Sequence, residues 1–161
     1  MSTVPAGQIE DAQQLVGDAY IECFRVDLYT GSSLFLKSGH TETWNGNIWE
    51  GIALKLSGVG QYGDSQVSRP KFQIQNPDGS FSPFASEGAF DGAFVTRYRV
   101  LYEDLKNNLP IYSSQVWQVG RVSTLTRVSL EVELRSFGDS PVFILPAGTY
   151  SPPTFPVVSV R

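Results

Sequence analysis

Cysteine and histidine are nearly missing from this chain. Cys23 and His40 are the only ones among 161 residues. A single cysteine excludes an internal disulfide and any Cys-rich zinc or iron–sulfur centre. A single histidine excludes a His-rich metal site, because metal-binding and catalytic histidines need partners at set positions. There is no basic excess either. Twelve Lys and Arg stand against sixteen Asp and Glu, a net charge of −4, which argues against tight nucleic-acid binding by phosphate neutralisation. No apolar run approaches the ~20 residues a membrane helix needs. The first residues, MSTVPAGQIED, carry no basic n-region and no apolar h-region, so no secretory signal is expected there. Helical periodicity is scarce as well. The good candidate is residues 8–15, where Ile9, Ala12, Leu15 and Val16 form one narrow stripe that Gly17-Asp18 ends.

Alternation of period 2 is abundant. In YIECFRVDLYT, Phe24, Val26 and Leu28 point one way and Arg25 and Asp27 the other. Residues 30–33 are a turn, and residues 34–37 a return strand. Thr41 to Trp44 and Ile48-Trp49 flank Asn45-Gly46, the strongest short hairpin signal. ALKLSGV alternates, and Phe72 and Ile74 share a face in QVSRPKFQIQN. NPDGS is a turn in which Pro77 presets φ, Asp78 tolerates the third position and Gly79 suits the fourth. SFSPFASEGAFDGAF reads as a loop of docking aromatics with one helical turn. Tyr98, Val100 and Tyr102 oppose Arg97 and Arg99 on the next strand. VWQVGRV is interrupted by Gly120, a candidate bulge. In TRVSLEVELRS, Val128, Leu130, Val132 and Leu134 are expected to face inward. The sum is about eight strands at roughly 8–15-residue spacing. That predicts a mainly β protein, an antiparallel β-sandwich or small barrel. The domain reading is an N-terminal segment with a short helix over 1–19, the β domain over 20–145, and an extended Pro-rich arm over 146–161.

Catalytic chemistry is hard to assemble from these residues. His40 lies in KSGHTET and reads as a solvated turn residue, and Cys23 as a semi-buried structural thiol. Asp64, Asp78, Glu87, Asp91, Glu103 and Asp104 lie mostly in turns, where backbone hydrogen bonding explains them without catalysis. GVGQYG has glycines, but no Lys-Ser/Thr follows and no helix opens after it, so it is not a phosphate loop. RPKFQIQN and TRYRV set basic residues beside aromatics, a pattern that also occurs on single-strand nucleic-acid platforms. No cofactor and no metal are expected.

The order of the motifs carries more. TWNGNIWEGIALKLSGVGQYGDSQVSRPKFQIQNPDGSFSPF is followed by DGAFVTRYRVLYEDL, VWQVGRVS and RVSLEVEL. This succession resembles the minor tail protein L family of long, non-contractile-tailed phages. The residues that carry the resemblance are Trp44-Gly46-Trp49, Arg69-Pro70, Asn76-Gly79, Gly92-Val95-Arg97 and Gln115-Trp117, over about residues 20–145. The resemblance implies a tail-tube-type β fold and a non-enzymatic virion protein at the tail tip or baseplate. It implies a ring, trimer or hexamer, between the distal tail protein and the hub or fibre protein, with DNA transiting the lumen without specific binding. No membrane binding is implied. Many family members carry a Cys-rich domain that ligates an iron–sulfur cluster. With Cys23 alone, no cluster is expected here.

Trp44 and Trp49 admit three readings: partners across a hairpin in the core, interface anchors at a projecting tip, or a sugar platform. The arm has apolar positions Phe155, Val157, Val158 and Val160, and four of the ten prolines, so it cannot fold back as a central strand. Its natural use is to add to a neighbour's surface or sheet edge. Candidate interface residues are therefore Trp44, Trp49, Phe155, Val157, Val158 and Val160. Two other functions remain beside the virion reading: a carbohydrate-binding β-sandwich module that recognises a receptor or cell wall, and a small wall hydrolase.

Overall fold

A computed structural model describes residues 19–59 and 69–136. The helix expected at residues 8–15, Asp64 and the arm lie outside them. Among the described residues the strands are β1 (Tyr20–Asp27), β2 (Ser33–Lys37), β3 (Glu42–Trp44), β4 (Asn47–Gly51), β5 (Leu54–Ser57), β6 (Lys71–Gln75), β7 (Phe94–Leu101), β8 (Ser113–Leu125) and β9 (Ser129–Arg135). Two short helices, α1 (Ser82–Ser86) and α2 (Tyr102–Lys106), and a 3-10 turn at Pro77–Gly79 join them. All strands belong to one sheet in the order β3-β4-β2-β1-β7-β8-β9-β6-β5. Every pairing is antiparallel except β2 with β4, which is parallel. The protein is mainly β and sandwich-like, as the alternation predicts.

The local signals act as the residue types require. Asn45 and Gly46 both take positive φ, 50° and 74°, the requirement of a two-residue hairpin turn whose twist matches its strands. Asp78 sits at φ 54°, and the Gly79 amide donates to the Asn76 carbonyl at 3.2 Å. This is a turn with a left-handed third residue. Pro83 lies in the first turn of α1, where its missing N–H costs nothing. The β8–β9 register shifts at Gly120, and a Cβ there would come 2.6 Å from Arg135 Nε. A larger residue at this bulge would push the Arg135 side chain aside. Asn76 is fully buried and fully used. Its Oδ1 accepts from the Phe81 amide at 2.8 Å, while its Nδ2 donates to the Thr126 carbonyl at 2.7 Å and to Ser82 Oγ at 3.0 Å. One side chain thereby ties α1 to the β8–β9 turn.

The single sheet folds over on itself. Phe24 on β1 and Phe72 on β6 lie four ladder steps apart in the strand order. A flat sheet would separate them by about 19 Å, yet their ring centroids are 4.8 Å apart. The main core fills the space between the two halves: Phe24, Val26 and Leu36 meet Phe72, Ile74, Leu130, Val132 and Leu134. The loop between β6 and β7 closes one end with Phe81, Ala89, Phe90 and Ala93, all buried.

Two strand assignments fail. Val128, expected to face inward, is 70% exposed, because it precedes β9 in a turn held by Thr126 rather than in the ladder. The Thr126 amide donates to the Ser129 carbonyl and the Ser129 amide to Thr126 Oγ1, each at 2.8 Å. Tyr102 is 50% exposed, because the strand ends at Leu101 and Tyr102 opens α2. Glu103 and Asp104 lie in the first turn of that helix, where the helix dipole favours them, and not in a turn.

Denaturant unfolding should separate a core position from a turn position. Phe72→Ala is expected to lower stability by about 3–5 kcal/mol. Val128→Ala is expected to stay within ~0.5 kcal/mol of the parent. A large loss for Val128→Ala would contradict its placement in the turn.

Candidate assembly surface

The outer face of the sheet is divided. On the β6–β9–β8 side it is charged and laddered. Lys71 Nζ meets Glu131 Oε1 at 3.0 Å, and Arg121 grips both oxygens of Glu133 at 2.9 and 3.0 Å. These bonds hold both carboxyls below the ordinary carboxylate range, with the hydrogen bond from the basic partner as the largest cause. Lys71 and Arg121 are more than half exposed, so the pairs order a surface more than they stabilise a fold.

On the β2–β1–β7 side the outer face is aromatic. Alternation sends Phe24 and Val26 to the main core and Ile21 and Cys23 to a second cluster behind the sheet, with Trp44, Trp49, Val100 and Leu105. The β3–β4 hairpin, α2 and residues 107–112 enclose it. Trp44 and Trp49 are diagonal neighbours across the hairpin, with centroids 5.5 Å apart. Tyr98 lies 6.0 Å from Trp44 and 5.7 Å from Trp49. Tyr112 stands edge-on to Trp44 at 5.6 Å, and Phe35 edge-on to Trp49 at 5.1 Å. Edge-to-face contacts of this kind add to area burial by matching ring edge to ring face. Each indole N–H is used. Trp44 Nε1 donates to the Leu109 carbonyl at 2.9 Å, and Trp49 Nε1 to the Trp44 carbonyl at 3.0 Å.

Trp44 is 1% and Trp49 2% exposed. Of the three readings of these rings, the single chain takes the core one. Neither ring has a free face for a sugar, and neither projects as an anchor. The hairpin residue that does project is Ile48, 69% exposed. Its alternation partner on β4 points inward, a consequence of register that the sequence could have signalled. Phe155, Val157, Val158 and Val160 lie outside the described residues. Below the cluster, one outer row pairs Arg25 with Thr96 and Thr96 with Val116, and the next pairs Asp27 with Phe94 and Phe94 with Gln118. Phe94 and Val116 are 38% and 49% exposed. Arg25 lies over Phe35 at 5.9 Å and bonds Asp27 at 2.7 Å.

The remaining candidates stay apart. His40 is exposed in a turn. Burial pushes the Cys23 thiol up to about 12, and the nearby Lys37 only partly offsets this. Such a thiol is a poor nucleophile. Among the described residues no three His, Cys, Asp or Glu gather as metal ligands. The basic–aromatic stretches are spent internally: Lys71 on Glu131, Phe72 in the core, Arg97 on Glu22 and on Gln115, Arg99 over the Tyr20 ring. No described helix is long and apolar enough to cross a membrane.

No family model matches the sequence, and no curated protein matches it. Among solved structures the chain is similar to one from a "Virion of native gene transfer agent (GTA) particle". The likeness is one of fold. It covers 84% of this chain with a TM-score of 0.60 and 16% identity. This chain corresponds to 46% of the length of that one.

Two outcomes test the aromatic cluster. Trp44→Phe keeps a ring but loses the bond to Leu109, and should cost about 1 kcal/mol in denaturant unfolding. Cys23 should also make stability fall with rising pH. The unfolded thiol releases its proton near 9 and the folded one near 12. Between these values the unfolded state binds fewer protons, so stability drops by up to about 1.4 kcal/mol per pH unit. Cys23→Ala should flatten that slope, and an unchanged slope would show that the thiol is not buried in this way.

Proposed function

We propose that this chain is a structural protein of a phage-type virion, not an enzyme. It forms a ring at the tail tip or baseplate, joins the distal tail tube to the hub or fibre protein, and leaves a lumen for DNA. The observation that carries this reading is the shared fold with a virion chain over most of this chain's length. The motif order of the minor tail protein L family supports it independently. So does the site chemistry: the lone histidine is solvated, the lone thiol is buried and protonated, and the described carboxylates are spread over turns, α2 and outer-face ion pairs.

The divided outer face suits assembly. Arg25, Phe35, Tyr98, Phe94 and Val116 supply the aromatic and Arg content typical of interface centres. The charged ladder of β6, β9 and β8 suits a surface that stays wet. In a head-to-tail ring each copy presents two different faces to its two neighbours, and this chain has two different faces to present. The sugar-platform alternative needs open aromatic rings, which Trp44 and Trp49 do not offer.

Cryo-electron microscopy of particles from the parent genome tests the reading. The expected result is a ring of this fold beneath the last ring of the tail tube. Complete absence of the chain from purified particles would overturn it.

A further inference from the structure

Among the described residues the sheet ends at β5, whose ladder runs on one side only, against β6. The ladder fixes which of its groups are unused. The Gln75 amide donates to the Ala53 carbonyl at 2.8 Å, so Ala53, and by alternation Lys55, turn their backbone groups toward β6. Ile52 between β4 and β5 turns the other way and donates to the Lys37 carbonyl at 2.9 Å. Leu54 and Leu56 follow Ile52 in phase. Their N–H and C=O groups therefore face outward along the open edge. Their side chains belong to the main core but are only half-buried. An edge with outward backbone groups and an unfinished apolar row is a template for another strand.

The same sequence contains a stretch of matching chemistry, outside the described residues. The arm's prolines are Pro146, Pro152, Pro153 and Pro156. After Pro156, residues 157–161, VVSVR, each keep a backbone N–H, and five residues suffice for the four of β5. Alternation puts Val158 and Val160 on one face and Val157, Ser159 and Arg161 on the other. Val158 and Val160 would extend the row of Leu54 and Leu56. Ser159 would stand beside the exposed Lys55. The other sheet edge, β3, fits less well. It has three residues, and its one buried ring, Trp44, is already packed.

We propose that residues 157–161 of one copy add as a strand to the open edge of β5 in a second copy. The donor–acceptor contact links neighbours, and it rests on the ring reading above. Main-chain bonds to Leu54 and Leu56 give affinity, and the two valines set the register.

Site-directed crosslinking of full chains tests it. Cys23 is fully buried and stays silent. One chain carries Lys55→Cys and a differently mass-tagged chain carries Ser159→Cys. Mixed under mild oxidation, they should give a covalent heterodimer. The heterodimer should be lost when Ser159→Cys is mixed instead with Thr43→Cys on β3, or when Val158→Asp and Val160→Asp are added to the donor. Higher-order assembly without the heterodimer would overturn the strand exchange while leaving the ring reading standing. An internal disulfide in the Lys55→Cys/Ser159→Cys double variant, without heterodimer, would show the arm on its own β5 and overturn the exchange. Chains that stay monomeric at every concentration, without crosslink and without a place in the particle, would sink both.

Discussion

Ile52 and Ala53 set the shape of this protein. They are the only residues between β4 and β5, yet β4 is second in the sheet and β5 is last, seven ladder steps away. A flat sheet would place those strands about 34 Å apart, while the three Cα steps from Gly51 to Leu54 reach about 10 Å. The sheet must therefore curl until β5 comes back beside β4. Two backbone bonds mark the meeting point: the Ile52 amide on the Lys37 carbonyl from the β2 side, and the Gln75 amide on the Ala53 carbonyl from the β6 side. The main core follows from that closure. Phe24 touches Phe72 only because the two halves are brought face to face, and Leu130, Val132 and Leu134 are buried against the same opposing strands.

Closure also fixes what the outside has to offer. With the inner face filled, the outer face of β1 and β7 needs its own cover, and the β3–β4 hairpin, α2 and residues 107–112 supply it. Cys23, Val100 and the two indoles are buried there. The cover stops short of Phe94 and Val116, so an aromatic surface continues beyond it. On the far side the ion pairs of Lys71, Glu131, Arg121 and Glu133 keep the sheet polar. A protein with two unlike surfaces and an open strand edge is suited to contact copies of itself at more than one place.

Much of this was legible in the residues. Phe24, Val26 and Leu28 alternate inward as expected, and so do Leu130, Val132 and Leu134. Asn45-Gly46 turns the hairpin, Gly120 marks a bulge, and the 81–93 stretch docks Phe81 and Phe90, though not the exposed Phe84, around one helical turn. These features are local: a side-chain period of two, a positive φ, a missing Cβ. Val128 escapes them because alternation cannot say where a strand begins, and the Thr126 bonds end the turn one residue later. In the sequence Asn76 shows itself as a turn residue. Its burial and its bonds to residues on α1 and the β8–β9 turn come from contacts up to 50 positions away, which no local pattern encodes.

The sequence by itself determined the class: a β protein with one thiol, one imidazole, no cation excess, and an arm too rich in proline to be a central strand. Those are matters of composition and of the backbone freedom of individual residues. Tertiary structure alone decided which face Trp44 and Trp49 serve, that β5 returns beside β4, and that among the described residues Leu54 and Leu56 lie at an unpaired edge. Each depends on which distant strands lie side by side. Pairing of distant strands is settled by the closure of the whole sheet, not by any one segment's preference.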